Sequence, residues 1–427
     1  MWRIGRRILI VGSVLVAVAG TGWYLYGASC RSRFEEQVAA LRAAGHPTRF
    51  EDLATPPVPD EENGVKLLEQ ATRILAEREK APDSADRLLW QREQPVEEIV
   101  AIATYLDSLA PYFQLLEQVP ARPHWRPDVD WSEGMEVVLG HVGELANACH
   151  LLEARARFDL EIDGRTERAA ATAVLLMDLG RKCRGPCVMG HAVWVFMTST
   201  AVRVLRNAIR EPGFEAALFR RVVDPRLAQA IPDRGPGATM FIEERVYLIA
   251  YVRAMDKGGL PELVEDRSEY GKSPLLDRPR LYRDACLCLD IVQEGIERSD
   301  TTPDGALGVG ADFRARYPGD ARRDMVTSYA TLNAVSFEKF GARVAAFRLA
   351  RVVMALLEHR QREGAWPETL DALGEMPLDP YGGKPFLYER TEHGCRVRSA
   401  KEDSDERLED RDLLWILDDD QIPAMAR

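Results

Sequence analysis

Val138–Ala156, VLGHVGELANACHLLEARA, is the stretch that decides the fold class. Val138, Val142, Leu145, Cys149, Leu152 and Ala156 recur at alternating spacings of four and three, which places them on one stripe of an α-helix. An apolar stripe of this kind needs a partner to bury it, so the segment predicts a helix packed among other helices.

The same period extends outward in both directions. Upstream, Val96, Ile99, Ile102, Leu106, Phe113 and Leu116 form a second stripe, and Leu67, Ala71 and Ile74 a shorter one. Downstream, Gly164 stops the helix, and Gly185-Pro186 separates a helix around Arg168 to Cys183 from another over Cys187 to Ile209. Short connections make consecutive helices antiparallel neighbours, so residues 60–210 read as a helical bundle or array. A less regular zone follows, punctuated by Asp224-Pro225, Gly235-Pro236-Gly237, Gly258-Gly259 and Ser273-Pro274, with helical pieces at Phe241 to Met255 and Tyr282 to Arg298. Thr301 to Asp312 reads as a linker or exposed loop. A long helix then ends near Glu363, its face including Val344, Phe347, Ala350, Met354 and Leu357, with Gly364 suited to close it. Beyond Trp366 the pattern changes: Pro367 opens a short helix through Leu373, Asp379 to Gly383 form a turn, and Phe386 to Glu389, Cys395 to Ser399 and Leu413 to Leu417 read as strands. The fold class is therefore mainly α: an N-terminal transmembrane helix, a helical bundle or array, and a small C-terminal α+β module with a short antiparallel sheet. The expected divisions are an anchor over 1–30, a helical body over 31–212, an irregular helical region and linker over 213–330, and a long helix plus small sheet over 331–427.

The anchor is read from an uncharged stretch, Ile8 to Cys30, preceded by Arg3, Arg6 and Arg7 and closed by Trp23, Tyr24 and Tyr26 at the level of an interfacial aromatic belt. Arg31 and Arg33 flank its other end. Three basic residues ahead of a first helix favour a cytoplasmic N-terminus and an exported body. A cleaved signal peptide is the rival, with Gly27-Ala28-Ser29-Cys30 resembling a degraded lipoprotein box; the apolar run exceeds the usual signal core, and bulky aromatics occupy the places of small residues. A net charge of −12 and no sustained basic stripe beyond the first residues argue against nucleic-acid binding.

Chemistry-bearing motifs give less. His141, Glu144, His150 and Glu153 have metal-ligand residue types, but at 100° per residue they scatter around the helix, which excludes a four-ligand site on it. Cys183, Cys187 and His191 stand four apart, a zinc-like spacing interrupted by Gly185-Pro186; a disulfide between the two cysteines and ordinary thiols are the alternatives. Cys286 and Cys288 point to different sides of a helix. Tyr270 to Ser273 matches only the end of a phosphate-binding loop. Glu243-Glu244 is a candidate carboxylate pair, although adjacent residues point about 100° apart and solvated or salt-bridged glutamates are the plainer reading.

Arg348 to Leu373 followed by Pro377-Leu-Asp379-Pro380-Tyr381-Gly382-Gly383-Lys-Pro385-Phe-Leu-Tyr388 resembles the C-terminal region of type II secretion major pseudopilins. Those proteins carry a long helix, an aromatic residue before proline and a proline-aspartate-proline-aromatic-glycine turn leading into a small sheet. The resemblance covers the last part of the chain, and it implies a calcium-binding acidic loop, to which Asp403, Asp405, Asp410 and Asp412 correspond; the family's loop glycines are replaced by residues such as Lys401, Glu402 and Arg407, and a solvated acidic loop is the alternative. No other cofactor is expected. Gly5 is followed by Arg6 rather than by the phenylalanine of pilin-like leaders, so polymerisation as a pseudopilin is not expected. The whole arrangement resembles uncharacterised bacterial membrane-anchored envelope proteins. The expected role is non-catalytic, structural or protein-interacting, with an envelope or secretion-related protein partner; the alternatives are an envelope hydrolase whose site assembles only in three dimensions and an exported sensor or ligand-binding protein.

Overall fold

The computed structural model of the chain describes residues 2–77, 96–136, 139–183, 188–211, 214–231, 237–257, 274–298, 303–317, 325–400 and 413–418. These hold twelve α-helices and three strands. The helices are α1 (Trp2–Ala43), α2 (Gly64–Ala76), α3 (Val96–Ser108), α4 (Ala110–Gln118), α5 (Gly140–Glu161) and α6 (Thr166–Cys183). They continue as α7 (Val188–Ala208), α8 (Ala216–Ala230), α9 (Gly237–Lys257), α10 (Pro274–Arg298), α11 (Pro303–Arg316) and α12 (Met325–Glu363). The strands are β1 (Leu387–Thr391), β2 (Gly394–Arg398) and β3 (Leu414–Asp418).

The segment expected as the anchor, 1–30, falls in the first part of α1, a 42-residue helix without a break. From Val11 to Tyr26 its side chains face outward on all sides, with Val16 73% exposed. Past Gly27 the helix becomes one-sided: Phe34 and Val38 are buried with Leu281, Tyr282, Ala285 and Leu289 of α10 and Leu248, Ile249 and Val252 of α9. One helix among the described residues is thus long and apolar enough to cross a membrane. The bent pair α3 and α4 passes the same test of length and composition, but Ile102, Leu106, Leu109, Phe113 and Leu116 are buried in the body.

The stripe of Val138–Ala156 folds as expected into α5, which buries Leu145, Cys149, Leu152 and Ala156. Helices α5, α6 and α7 pack on one another, and the 39-residue α12 runs through the middle of the body. Between Phe340 and Leu357 nearly every residue of α12 is buried, among them Val344, Phe347 and Val353, with Phe337 buried just ahead of them, and the helix faces α7, α8, α10, α11 and the sheet. Gly364, at φ 75°, donates its N–H to the Arg360 carbonyl and ends α12 as its position predicts. One continuous cluster of buried side chains runs from Leu67 on α2 to Leu417 on β3.

The expected linker is different. Most of Thr301–Asp312 lies in α11, which packs along α12 and buries Val309 and Phe313. One glycine that reads as loop serves close packing: a Cβ on Gly310 would stand 2.8 Å from the Ala334 carbonyl oxygen. Ion pairs Arg298–Asp312 at 2.6 Å and Arg316–Glu294 at 2.7 Å tie the helix to the end of α10.

The three strands form an antiparallel meander in the order β1-β2-β3. Cys395, Val397, Trp415 and Leu417 point into the core, while Leu387, Arg396, Leu414 and Ile416 face out. The turn before the sheet is held by Asp379, which is buried; its carboxylate accepts from the Tyr381 N–H, the Ser399 hydroxyl and the Ala400 N–H, joining the turn to the end of β2. Asp379→Ala leaves these donors without their acceptor, so a loss of about 2–3 kcal/mol is expected, with faster amide exchange along β2. An exchange pattern unchanged at β2 would contradict this role.

Candidate functional site

The residues singled out by sequence do not converge. His141 and Glu144 sit near the start of α5, where burial lowers the His141 pKa and raises that of Glu144, with the neighbouring Glu69 of α2 adding to the latter. His150 lies about two and a half turns from His141, on the opposite face of the same helix, with its ring 5.1 Å from that of Phe196. Glu153 is engaged in a two-pronged pair with Arg203 of α7, at 3.1 and 3.0 Å. Cys183 is a buried free thiol whose pKa is pushed up by burial, and His191 is buried with its ring 5.2 Å from that of Trp194. Cys187, the partial phosphate-loop match and the proposed calcium residues Asp403, Asp405, Asp410 and Asp412 lie outside the described residues. Among the described residues, no three His, Cys, Asp or Glu side chains gather to hold a metal ion.

An open cleft of about 490 Å³ lies where α3 and α4 meet the α5–α6 corner, lined by Phe113, Glu117, Arg155, Asp159, Arg165 and Arg168 among others. Its charges are mutually engaged. Arg155 reaches Glu117 at 3.0 Å and stacks over Phe113, and Arg168 reaches Asp159 at 3.3 Å. Asp159 is buried, and its raised pKa reflects desolvation that outweighs Arg168, Arg155 and Arg165. The Arg165 N–H donates to the Asp159 carbonyl, so this residue also closes the hairpin. The cleft reads as a structural corner.

The site with unspent chemistry is on α9. This helix is gripped on several sides: Ile242, Val246, Tyr247 and Ala250 meet Phe50, Leu53 and Trp131, while Leu248, Ile249 and Val252 meet α10 and α1. Phe241 packs on Phe337 of α12. Glu243 and Glu244 are caught between these faces. The expectation of solvated or salt-bridged glutamates does not hold: both are half-buried, and neither forms an ion pair among the described residues. Burial raises each to about 7, with the Glu244 charge adding to the rise at Glu243. Glu244, Tyr247 and Tyr251 share one helical stripe, three and four residues apart. Tyr329 of α12 shares the environment, its hydroxyl pushed well up by burial and then by the Glu244 charge and by Cys288, Tyr247 and Tyr251. The next residue, Arg245, is fully buried, and its Nη1 donates to Gln293 Oε1 of α10 at 3.1 Å. The helical period turns it away from both glutamates. The result is a carboxyl poised near neutrality beside the phenols of Tyr247 and Tyr329, able to take up or release a proton around pH 7.

Comparison with known protein families, with curated proteins and with solved structures returns no match. Sequence spacing flagged Glu243-Glu244 but carried no signal for the tyrosines, because Tyr329 is contributed by a helix more than eighty residues away.

Proposed function

We propose that this chain is a non-catalytic, membrane-anchored envelope protein with a structural or protein-interaction role, its N-terminus cytoplasmic and its body outside. The observation that supports this reading best is the passage of α1, without a break, from an outward-facing apolar segment into the packed core at Phe34 and Val38. A body held this firmly on its anchor suits presentation of a fixed surface. The outer face of the C-terminal sheet, with Leu387, Leu414 and Ile416 exposed between Arg396 and Arg398, is the surface we assign to a protein partner. The resemblance of this segment to pseudopilins points to a partner in the envelope or its secretion machinery.

Two measurements test the reading. A reporter active only outside the cytoplasm, fused after Arg427, is expected to be active, and the chain is expected to stay with membranes through a high-salt wash; activity of a cytoplasm-only reporter would reverse the topology. A photo-crosslinking residue at Ile416 is expected to yield one discrete protein adduct in cells, while the same residue at the exposed Glu61, in the turn before α2, yields none. Identical adduct patterns from both positions would remove the sheet from the proposal. An enzymatic reading keeps one specific support, the near-neutral Glu244 carboxyl.

A further inference from the structure

We propose that the foot of the body, where the start of α10 and the end of α9 flank the emerging anchor, binds the phosphate groups of anionic phospholipids. The proposal rests on reading α1 as a membrane span. Heights along α1 then locate the body relative to the bilayer. Gly27 follows the interfacial aromatics Trp23, Tyr24 and Tyr26, and a Cβ on it would stand 2.9 Å from Pro279 Cγ. Further from the membrane, the rings of Phe34 and Tyr282 are 5.5 Å apart and Gln37 donates to Asp290 at 2.8 Å. Helix α10 therefore climbs beside α1 in the same direction. At about 1.5 Å per residue, its first turn, Pro274 to Asp277, stands level with Trp23–Tyr26.

From that level to about two turns above it, the side chains of Arg31, Arg278, Arg280 and Arg283 branch from the helix pair, 59%, 50%, 48% and 53% exposed. Two carboxylates organise them from the inside. Asp256 meets Arg31 at 3.4 Å and Arg278 at 3.5 Å, and Asp284 meets Arg280 at 3.6 Å and Arg283 at 2.6 Å. Their side chains are only 14% and 4% exposed, so the acids lie inward and the arginines outward. Among the described residues, counting Lys257 and Asp277, which stand at the same ends of α9 and α10, five basic groups face three acidic ones. A guanidinium carries five donors in a fork that matches phosphate, more than one carboxylate can engage. Half-exposed arginines at headgroup height, braced from behind, form a phosphate-binding rim, and its ligand is the lipid itself because the anchor places the rim there.

The experiment is hydrogen exchange on the full chain in lipid nanodiscs, either of phosphatidylcholine alone or of phosphatidylcholine mixed with phosphatidylglycerol. Backbone amides between Arg278 and Arg283 are expected to exchange roughly fivefold more slowly in the anionic discs, the factor one basic residue gains at such a surface. High salt, with a Debye length of about 3 Å, is expected to erase the difference. The double variant R278Q/R283Q leaves Arg31 on Asp256 and Arg280 on Asp284, and each variant is compared only with itself between lipids; its lipid dependence is expected to vanish. Equal exchange of the wild type in both discs, or a double variant that keeps the full difference, overturns the proposal. Protection reproduced by inorganic phosphate in neutral discs overturns the lipid assignment. A chain that never enters discs and stays in the aqueous fraction overturns the membrane-span reading instead.

Discussion

Replacing Trp194 by alanine is expected to destabilise the body by about 3–5 kcal/mol. The indole is fully buried where α6, α7 and α12 meet. Its ring lies 5.8 Å from Phe340 of α12 and 5.2 Å from His191 one turn earlier, and on the α6 side a Cβ added to Gly180 would touch it at 3.5 Å. Removing so large a side chain forfeits its transfer free energy and leaves a cavity that three long helices cannot collapse around. Because the surrounding cluster continues to Trp415 and Leu417, the loss is expected to reach the sheet as well, in one shared transition. Urea unfolding of the solubilised full chain, followed by tryptophan fluorescence and by far-ultraviolet dichroism, measures it. Met189→Ala, at a half-exposed position on the same helix, is the control and is expected to be near neutral. A Trp194→Ala change below about 1 kcal/mol would contradict the packing at this junction.

The second large effect depends on pH. Glu243 and Glu244 are raised from 4.5 to about 7 in the fold. Below about pH 4.5 both are protonated in folded and unfolded chains alike, and they cost nothing. Between about 4.5 and 7 the unfolded chain ionises them while the folded chain still holds their protons, so stability falls as pH rises through this window and levels off above it. Glu244→Gln keeps the neutral shape and also removes the charge that raises Glu243. It is expected to stabilise the protein at pH 8 by about 1–3 kcal/mol, a range reduced for partial solvent access, and to be nearly neutral at pH 4.5. Melting curves of the two proteins across this pH range should therefore converge on the acid side. Curves separated by a constant amount at every pH would show that the carboxyl is not held neutral by its surroundings.

What the sequence conveyed follows from how local each signal is. The α5 stripe, the end of α12 at Gly364 and the three strands were legible because period and punctuation lie within a few residues of each other. Helix α11 was not, because its glycines look like loop residues until the Ala334 carbonyl of another helix is placed against Gly310. The Glu243-Glu244 pair was visible as residues but not as chemistry. Its neighbours on α9 pack against α10, α12 and the short turns at Phe50 and Trp131, none of which is near it in the chain. Asp379 was likewise readable as a turn residue, whereas its hold on Ser399 requires the sheet to have folded back.

The unbroken helix that enters the body at Gly27 has a consequence for direction as well as for distance. On the proposed reading of α1 as a membrane span, no hinge separates lipid from core, and the azimuth of the apolar segment around its own axis is locked to the azimuth of the body. Each residue of helix corresponds to about 100° of rotation and 1.5 Å of height. The phase of α1 therefore acts as a compass bearing: it sets which flank of the body faces a neighbouring helix in the same bilayer, and a one-residue insertion near Ser29 would swing that bearing by more than a right angle while barely changing its height.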